Sequence, residues 1–300
     1  MKRFWIKWSN LLKQTSIEFV ADNAIKLSAS LSYYAIFSLP PLLIVIIAIT
    51  SLFFGHNAVN GELYWQIKGW VGDDTAMRLQ EMLKNVKLSD NSLLATIIGV
   101  VVLLVGASGI FSEIQGSINY IWGIQTKPKR GLANFFKNWL MSFVMIGSAG
   151  ILLMIGLILN TVIEILNKNL IDMYPKMNVL LFYLLNVITV FLMITALFIL
   201  IFKTLPNGRI SMKGCIIGAL LSSLLFMISK FIIGAYLYNS HIASPYGAAG
   251  SVILLLVWVY YSSVVLYFGA EFTKVYARIH GQGITPDDYS INTSKSSQPT

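Results

Sequence analysis

The chain has 300 residues, of which 56% are hydrophobic and only 12% charged, with a formal net charge of +9. A soluble domain carries about a quarter charged residues, so this composition excludes an ordinary water-soluble protein and points to a polytopic membrane protein. The single cysteine excludes an internal disulfide and a thiolate metal cluster. The basic balance reads as positive-inside bias and attraction to anionic lipid rather than as nucleic-acid binding.

Residues 1–26 form the first unit. Trp5, Trp8, Leu12 and Phe19 fall close to one helical face, with Lys7 and Lys13 elsewhere. This predicts a basic amphipathic helix lying on the inner leaflet. Its apolar residues are scattered among charges and no cleavage site follows, so it is not read as a signal peptide.

Six uncharged or nearly uncharged stretches follow, and each supplies the roughly 20 residues that a spanning helix needs. They lie between Lys26 and His56, from Asn91 to Ser112, between Lys137 and Glu164, between Lys176 and Lys203, from Lys213 to about Tyr238, and from about Tyr246 to Ala270. The predicted fold class is therefore all-α: a six-transmembrane-helix bundle over residues 27–271. An outer helical loop is expected at about 56–91, where Asp73 or Asp74 caps a helix with Leu79, Met82, Leu83 and Val86 on one face. Residues 272–300 are expected to be a cytoplasmic, largely disordered tail, because after Gly281 the chain is polar and rich in Ser, Thr and Pro.

Basic residues set the orientation. With six spans both termini share a side, and that side collects fifteen Lys and Arg against six on the other. Both termini are predicted to be cytoplasmic.

The first span holds an adjacent proline pair, Pro40 and Pro41. Proline removes a backbone donor, so the carbonyls of Ile36 and Phe37 lose their usual partners. Bare carbonyls in lipid are costly and must find a hydroxyl, water or a ligand. The stretch is also long, with 29 uncharged residues, roughly 44 Å of helix against roughly 30 Å of hydrocarbon. A kink or break at mid-membrane answers both facts and is a common feature of transporter binding sites.

Three stretches carry a family resemblance: "ASLSYYAIFSLPPLL" in the first span, "GSINYIWGI" at the end of the second, and the run from "LPNGRI" to "FGAEF". Their order, spacing and content resemble the YihY/BrkB family of bacterial inner-membrane proteins. The most specific pieces are Tyr33 with Ser38 and Pro41, Asn119 with Trp122, Tyr246-Gly247 with Gly250, and Gly269-Ala270-Glu271. The family pattern carries one proline where this chain has two, and Pro40 is the additional one. The resemblance implies a six-helix plasma-membrane protein and supplies no agreed molecular activity. The ribonuclease label once attached to the family finds no support in the residues. Metal-dependent phosphodiesterases need carboxylates or histidines converging on an ion, whereas His56, His241 and His280 are scattered over both sides. No catalytic residue, cofactor or metal is expected.

Polar groups at membrane depth are the informative ones. Glu113 sits towards the cytoplasmic edge of the second span, with Ser117 and Tyr120 on its face and Lys26, Lys203 or Arg130 as ion-pair partners. A proton- or cation-linked site in a cytoplasmic-facing cavity would comprise Glu113, Lys26, Ser28, Ser32, Tyr33 and Asn119, with Pro40 and Pro41 providing the break. Lys230 and Glu271 are secondary candidates, Lys230 snorkelling towards the outer edge. Gly214, Gly218 and Ser222 repeat every four residues and should bring another helix close. The expected function is transport of a lipid, lipid-linked or other amphiphilic solute. The alternative is a non-transporting scaffold for envelope assembly. The expected partners are membrane lipids of the anionic inner leaflet and an amphiphilic substrate.

Overall fold

The structure, a computed structural model, describes residues 2–37, 109–126, 175–239, 250–280, 283–287 and 290–292, with isolated helical positions between 65 and 77 and between 140 and 162. Pro40, Pro41 and most of the predicted outer loop lie outside the described residues. Within that loop Asp73 is itself helical rather than a cap, and its carboxylate is 2.9 Å from Lys68.

Helix α1 runs Lys2–Ala21. It stops at Asp22-Asn23, where Asn23 takes φ 52. This left-handed conformation is one that asparagine tolerates and β-branched residues avoid. Leu11, Thr15 and Phe19, one turn apart, form its buried face. Helix α2 is described over 24–37 and buries Ala24, Ser28, Leu31, Ser32 and Ala35. Helix α3, described over 109–121, buries Ile114, Gln115, Ser117, Ile118, Asn119 and Ile121. The two meet where Gly109 faces Tyr34, whose ring would lie 3.7 Å from an added Cβ.

Three long helices follow: α4 (Pro175–Thr204), α5 (Met212–Asn239) and α6 (Gly250–Ile279). Proline at the first position of α4 loses no hydrogen bond there, and Lys203 and Arg278 sit in the last turns of α4 and α6, where cations suit the helix dipole. Phe182–Thr204, Met212–Ala235 and Val252–Ile279 are each long and apolar enough to cross a membrane. Their core gathers Phe202, Tyr267 and Phe272, all fully buried.

Small residues let α5 and α6 approach closely. A Cβ on Gly218 would stand 3.0 Å from Thr273 Cβ, and one on Gly269 would stand 2.9 Å from Ser222 Cβ and 3.2 Å from Phe202 Cζ. The expected small-residue stripe thus works at Gly218 and Ser222. Gly214 instead faces its own preceding turn, at Ser211 and Ile210. The hydroxyls of Ser222, Ser223, Ser263 and Thr273 each donate to a carbonyl one turn back, which satisfies them without water. Ser223 also accepts from Thr195 of α4, at 3.0 Å.

Four short strands lie at one end of these helices. β1 (Ile124–Thr126) follows α3, β2 (Gly208–Arg209) lies between α4 and α5, and β3 (Thr285–Pro286) and β4 (Ser290–Asn292) follow α6. β1 pairs antiparallel with β4, Ile124 opposite Asn292, and β2 with β3, Gly208 opposite Pro286. The described residues are mostly helical, as expected, and these pairings add short strands: residues 285–286 and 290–292 of the expected tail find backbone partners at β2 and β1. Helix α6 also runs eight residues past the expected boundary at 271.

Candidate functional site

Three polar groupings meet around α3 and α6. The first grips the loop between α4 and α5. Gln115 Nε2 donates to the Leu205 carbonyl at 2.7 Å and lies 3.4 Å from Asn207 Oδ1. Asn119 Oδ1 accepts the Asn207 backbone N–H at 2.8 Å, and Trp122 Nε1 donates to the Ala270 carbonyl at 3.0 Å. Lys203 Nζ donates to the Ile210 carbonyl at 2.8 Å. From the tail, the Asp287 N–H donates to the Asn207 carbonyl at 2.9 Å, and the Asp287 carboxylate pairs with Arg209. Gly208 packs closely here, and an added Cβ would push aside the end of the Ile124 side chain.

The second grouping clamps α1 to α6. Trp8 stacks on Phe272 with ring centroids 6.1 Å apart, and Phe19 meets Phe268 at 5.6 Å. Between these aromatic contacts lies a charge cluster. Lys274 Nζ is 2.6 Å from Glu271 Oε1, 2.8 Å from Asp22 Oδ2 and 3.3 Å from Glu18 Oε2. Arg278 pairs with the other oxygen of Glu18. Glu271 is fully buried, and the geometry of its contact with Lys274 is that of an ion pair without hydrogen-bond alignment. Among the described residues its Oε2 has no hydrogen-bond partner. For Glu18, burial pushes the carboxyl pKa up, but the Arg278 hydrogen bond and the charges of Lys274 and Arg278 outweigh it and hold the pKa below its ordinary value.

The third is a seam between α3 and α6. Tyr267 is fully buried, with its hydroxyl near Ser117 and within reach of the Glu113 charge but in no well-aligned hydrogen bond. Glu113 is half-buried there.

The profile of the family described as Virulence factor BrkB matches residues 15–289, which contain the three groupings apart from Trp8. The chain belongs to that family. Among curated relatives, it is 30% identical over 262 residues to a UPF0761 membrane protein of Saccharophagus degradans, covering 87% of this chain and 58% of the relative. It is 29% identical over 256 residues to one of Azotobacter vinelandii, covering 84% and 60%. A third, of Pseudoalteromonas atlantica, is 27% identical over 283 residues, covering 91% and 88%. The chain thus spans about three-fifths of the length of the first two. No solved structure matches it.

In this BrkB-family chain the expected cavity group is divided. Ser28 and Ser32 are buried and donate to the carbonyls of Ala24 and Ala29 in their own helix. Tyr33, 61% exposed, lies on the opposite face beside Phe37. Lys26 is exposed. Glu113 makes no ion pair with Lys26 or Lys203, since Lys203 is turned onto its own loop. Asn119 serves the Asn207 backbone. Lys230 is half-buried, its Nζ 5.8 Å from the Phe231 ring centre. Glu271 alone among the candidates enters a charge cluster. Sequence reasoning missed Gln115, Asn207, Glu18, Asp22, Lys274 and Arg278. One signal was available: acidic residues at 18 and 22 share the four-residue spacing of the basic residues at 274 and 278, so two helices laid together can match both pairs.

Proposed function

We propose that this BrkB-family protein is a six-span plasma-membrane protein that moves a lipid, lipid-linked or other amphiphilic solute across the membrane. The observation that carries this reading is the α3–α6 seam. Glu113, Ser117 and Tyr267 place a carboxylate and two hydroxyls among helices whose other buried side chains are mainly apolar. Polar groups held inside a bundle at membrane depth are costly and mark solute or ion pathways. An amphiphile suits such a seam, its polar part on these groups and its chains against apolar helix surface.

Connectivity supports six spans. β1, β2, β3 and β4 lie at one end, so α3, α4 and α6 reach that end and α5 leaves it. Between β1 and the start of α4, the apolar stretch between Lys137 and Glu164 is long enough for the single crossing that six spans need there. From α2 to the end of α3 the chain must leave and return. Basic residues favour the cytoplasm for the shared end. A second reading, an envelope scaffold, is favoured by the cross-bracing of both loops by the tail.

The test is a lipid and metabolite profile of a deletion strain complemented with wild type, E113Q or Y267F. Transport predicts an accumulated amphiphile that wild type clears and the two variants, inserted and stable, do not. A profile unchanged by deletion removes the transport reading.

A further inference from the structure

Among the described residues the α1–α6 clamp is one positive charge short. Three carboxylates, Glu18, Asp22 and Glu271, face two cations, Lys274 and Arg278. These are the groups that reach the cluster from α1 and α6. Among the described residues no ion pair joins Glu271 to α3, α4 or α5. Arg278 is about half exposed and is engaged by Glu18, so it does not serve Glu271. Lys274 lies within ion-pair distance of all three carboxylates and donates its hydrogen bond to Asp22. The surplus negative charge therefore falls in the least hydrated part of the cluster, at a fully buried residue whose Oε2 has nothing to accept from. A buried charge without a matching partner is strongly unfavourable.

We propose that Glu271 is a proton-binding site and that its proton tightens the clamp between α1 and α6. A proton taken from water onto Oε2 brings the cluster to neutrality, and no other bond is made or broken. With Glu271 protonated, the end of α6 presents two positive charges to the two negative charges of α1. With Glu271 ionised, it presents a net charge of one. Docking of α1 and occupancy of the proton site are then linked, each favouring the other. Because α1 also leads directly into α2 through Asn23, a change in its docking acts on the entry of the first span. The inference concerns the clamp and holds whatever the solute.

The test uses the full chain in lipid vesicles. Infrared spectra at neutral pH should contain a protonated-carboxyl band in wild type that is absent from E271Q. The same band should shrink in D22N, where two carboxylates face two cations and Glu271 no longer needs the proton. A wild-type-sized band in E271Q, or an unchanged band in D22N, overturns the assignment. The clamp is read separately, with spin labels at Ile17 and Ile279, both exposed, in a Cys215→Ser background. Raising the pH should lengthen the distance in wild type and leave it unchanged in E271Q, where a neutral side chain of the same size is fixed in place. The same pH response in both proteins overturns the linkage. D22N keeps the infrared arm decisive if E271Q does not fold.

Discussion

The contact between α5 and α6 and the loop end of the same helices are held by opposite devices. Gly218, Ser222, Gly269 and Thr273 join the helices by having little side chain, and their hydroxyls bond back into their own helices. At the loop end Gln115, Asn119 and Trp122, on α3 and the turn after it, tie the α4–α5 loop and α6 together with long polar side chains that reach the backbone of another element. Apolar burial gains little when the alternative surroundings are lipid, so close packing does the work at membrane depth. Where the backbone leaves helical geometry its N–H and C=O groups need partners, and polar side chains supply them. The first device is sensitive to added volume and the second to a lost donor or acceptor.

The largest effect expected from that contrast is at Gly269. Valine there forces atoms against Ser222 and Phe202, at an overpacking cost of about 1–3 kcal/mol, read as a lowered thermal midpoint in detergent. Pairing Gly269→Ala with Ser222→Gly should recover much of the loss, since the obstructing Cβ is removed. If both proteins melt like wild type, the helices are not in close contact there. Next comes Asn119→Ala, which strands the buried Asn207 N–H and should cost about 1–3 kcal/mol. Asn119→Asp keeps the acceptor oxygen and should retain most of the stability, an outcome that volume alone does not predict. Trp122→Phe removes one donor to a helix carbonyl and should cost about 1 kcal/mol. Unfolding scans of the three variants side by side rank volume against hydrogen bonding.

Acid should loosen the α1 clamp through Glu18. Its pKa is lowered in the folded protein, so its stabilising contribution is complete above the ordinary carboxylate value of 4.5 and disappears as the pH falls through the lowered one. The Ile17–Ile279 label distance should lengthen on that acid side, and E18Q should remove this response. A distance that is constant through the acid range separates Glu18 from the clamp. The smallest effect is expected at Arg209→Ala. Arg209 is 69% exposed where it pairs with Asp287, so the change should cost about 0–1 kcal/mol by unfolding midpoint.

Much of the helical plan was legible because charge is excluded from long apolar runs, and α4, α5 and α6 follow from that alone. The residues of two quoted motifs also come together, with Trp122 on Ala270 and Asn119 on the loop that begins "LPN". What these residues do was not legible, because a hydrogen bond to a backbone atom 88 positions away leaves no periodicity in either segment. Glu113 was given ion-pair partners by depth alone, and depth does not tell which way Lys203 turns. The tail read as disordered because its composition is polar. Composition does not register that two loops present unpaired edges to it.

The braces at the loop end also fix an order in time. Glu18 and Arg278 are 260 positions apart, and β1 is closed by a strand that ends at Asn292. Translation at about 5–20 residues per second separates such partners by tens of seconds. During that interval α1 and β1 stand with an apolar face and a bare strand edge uncovered. Later-made elements close what earlier ones left open, so a nascent chain stopped before α6 exposes both surfaces and differs from the finished fold in a way that a chaperone or protease can recognise.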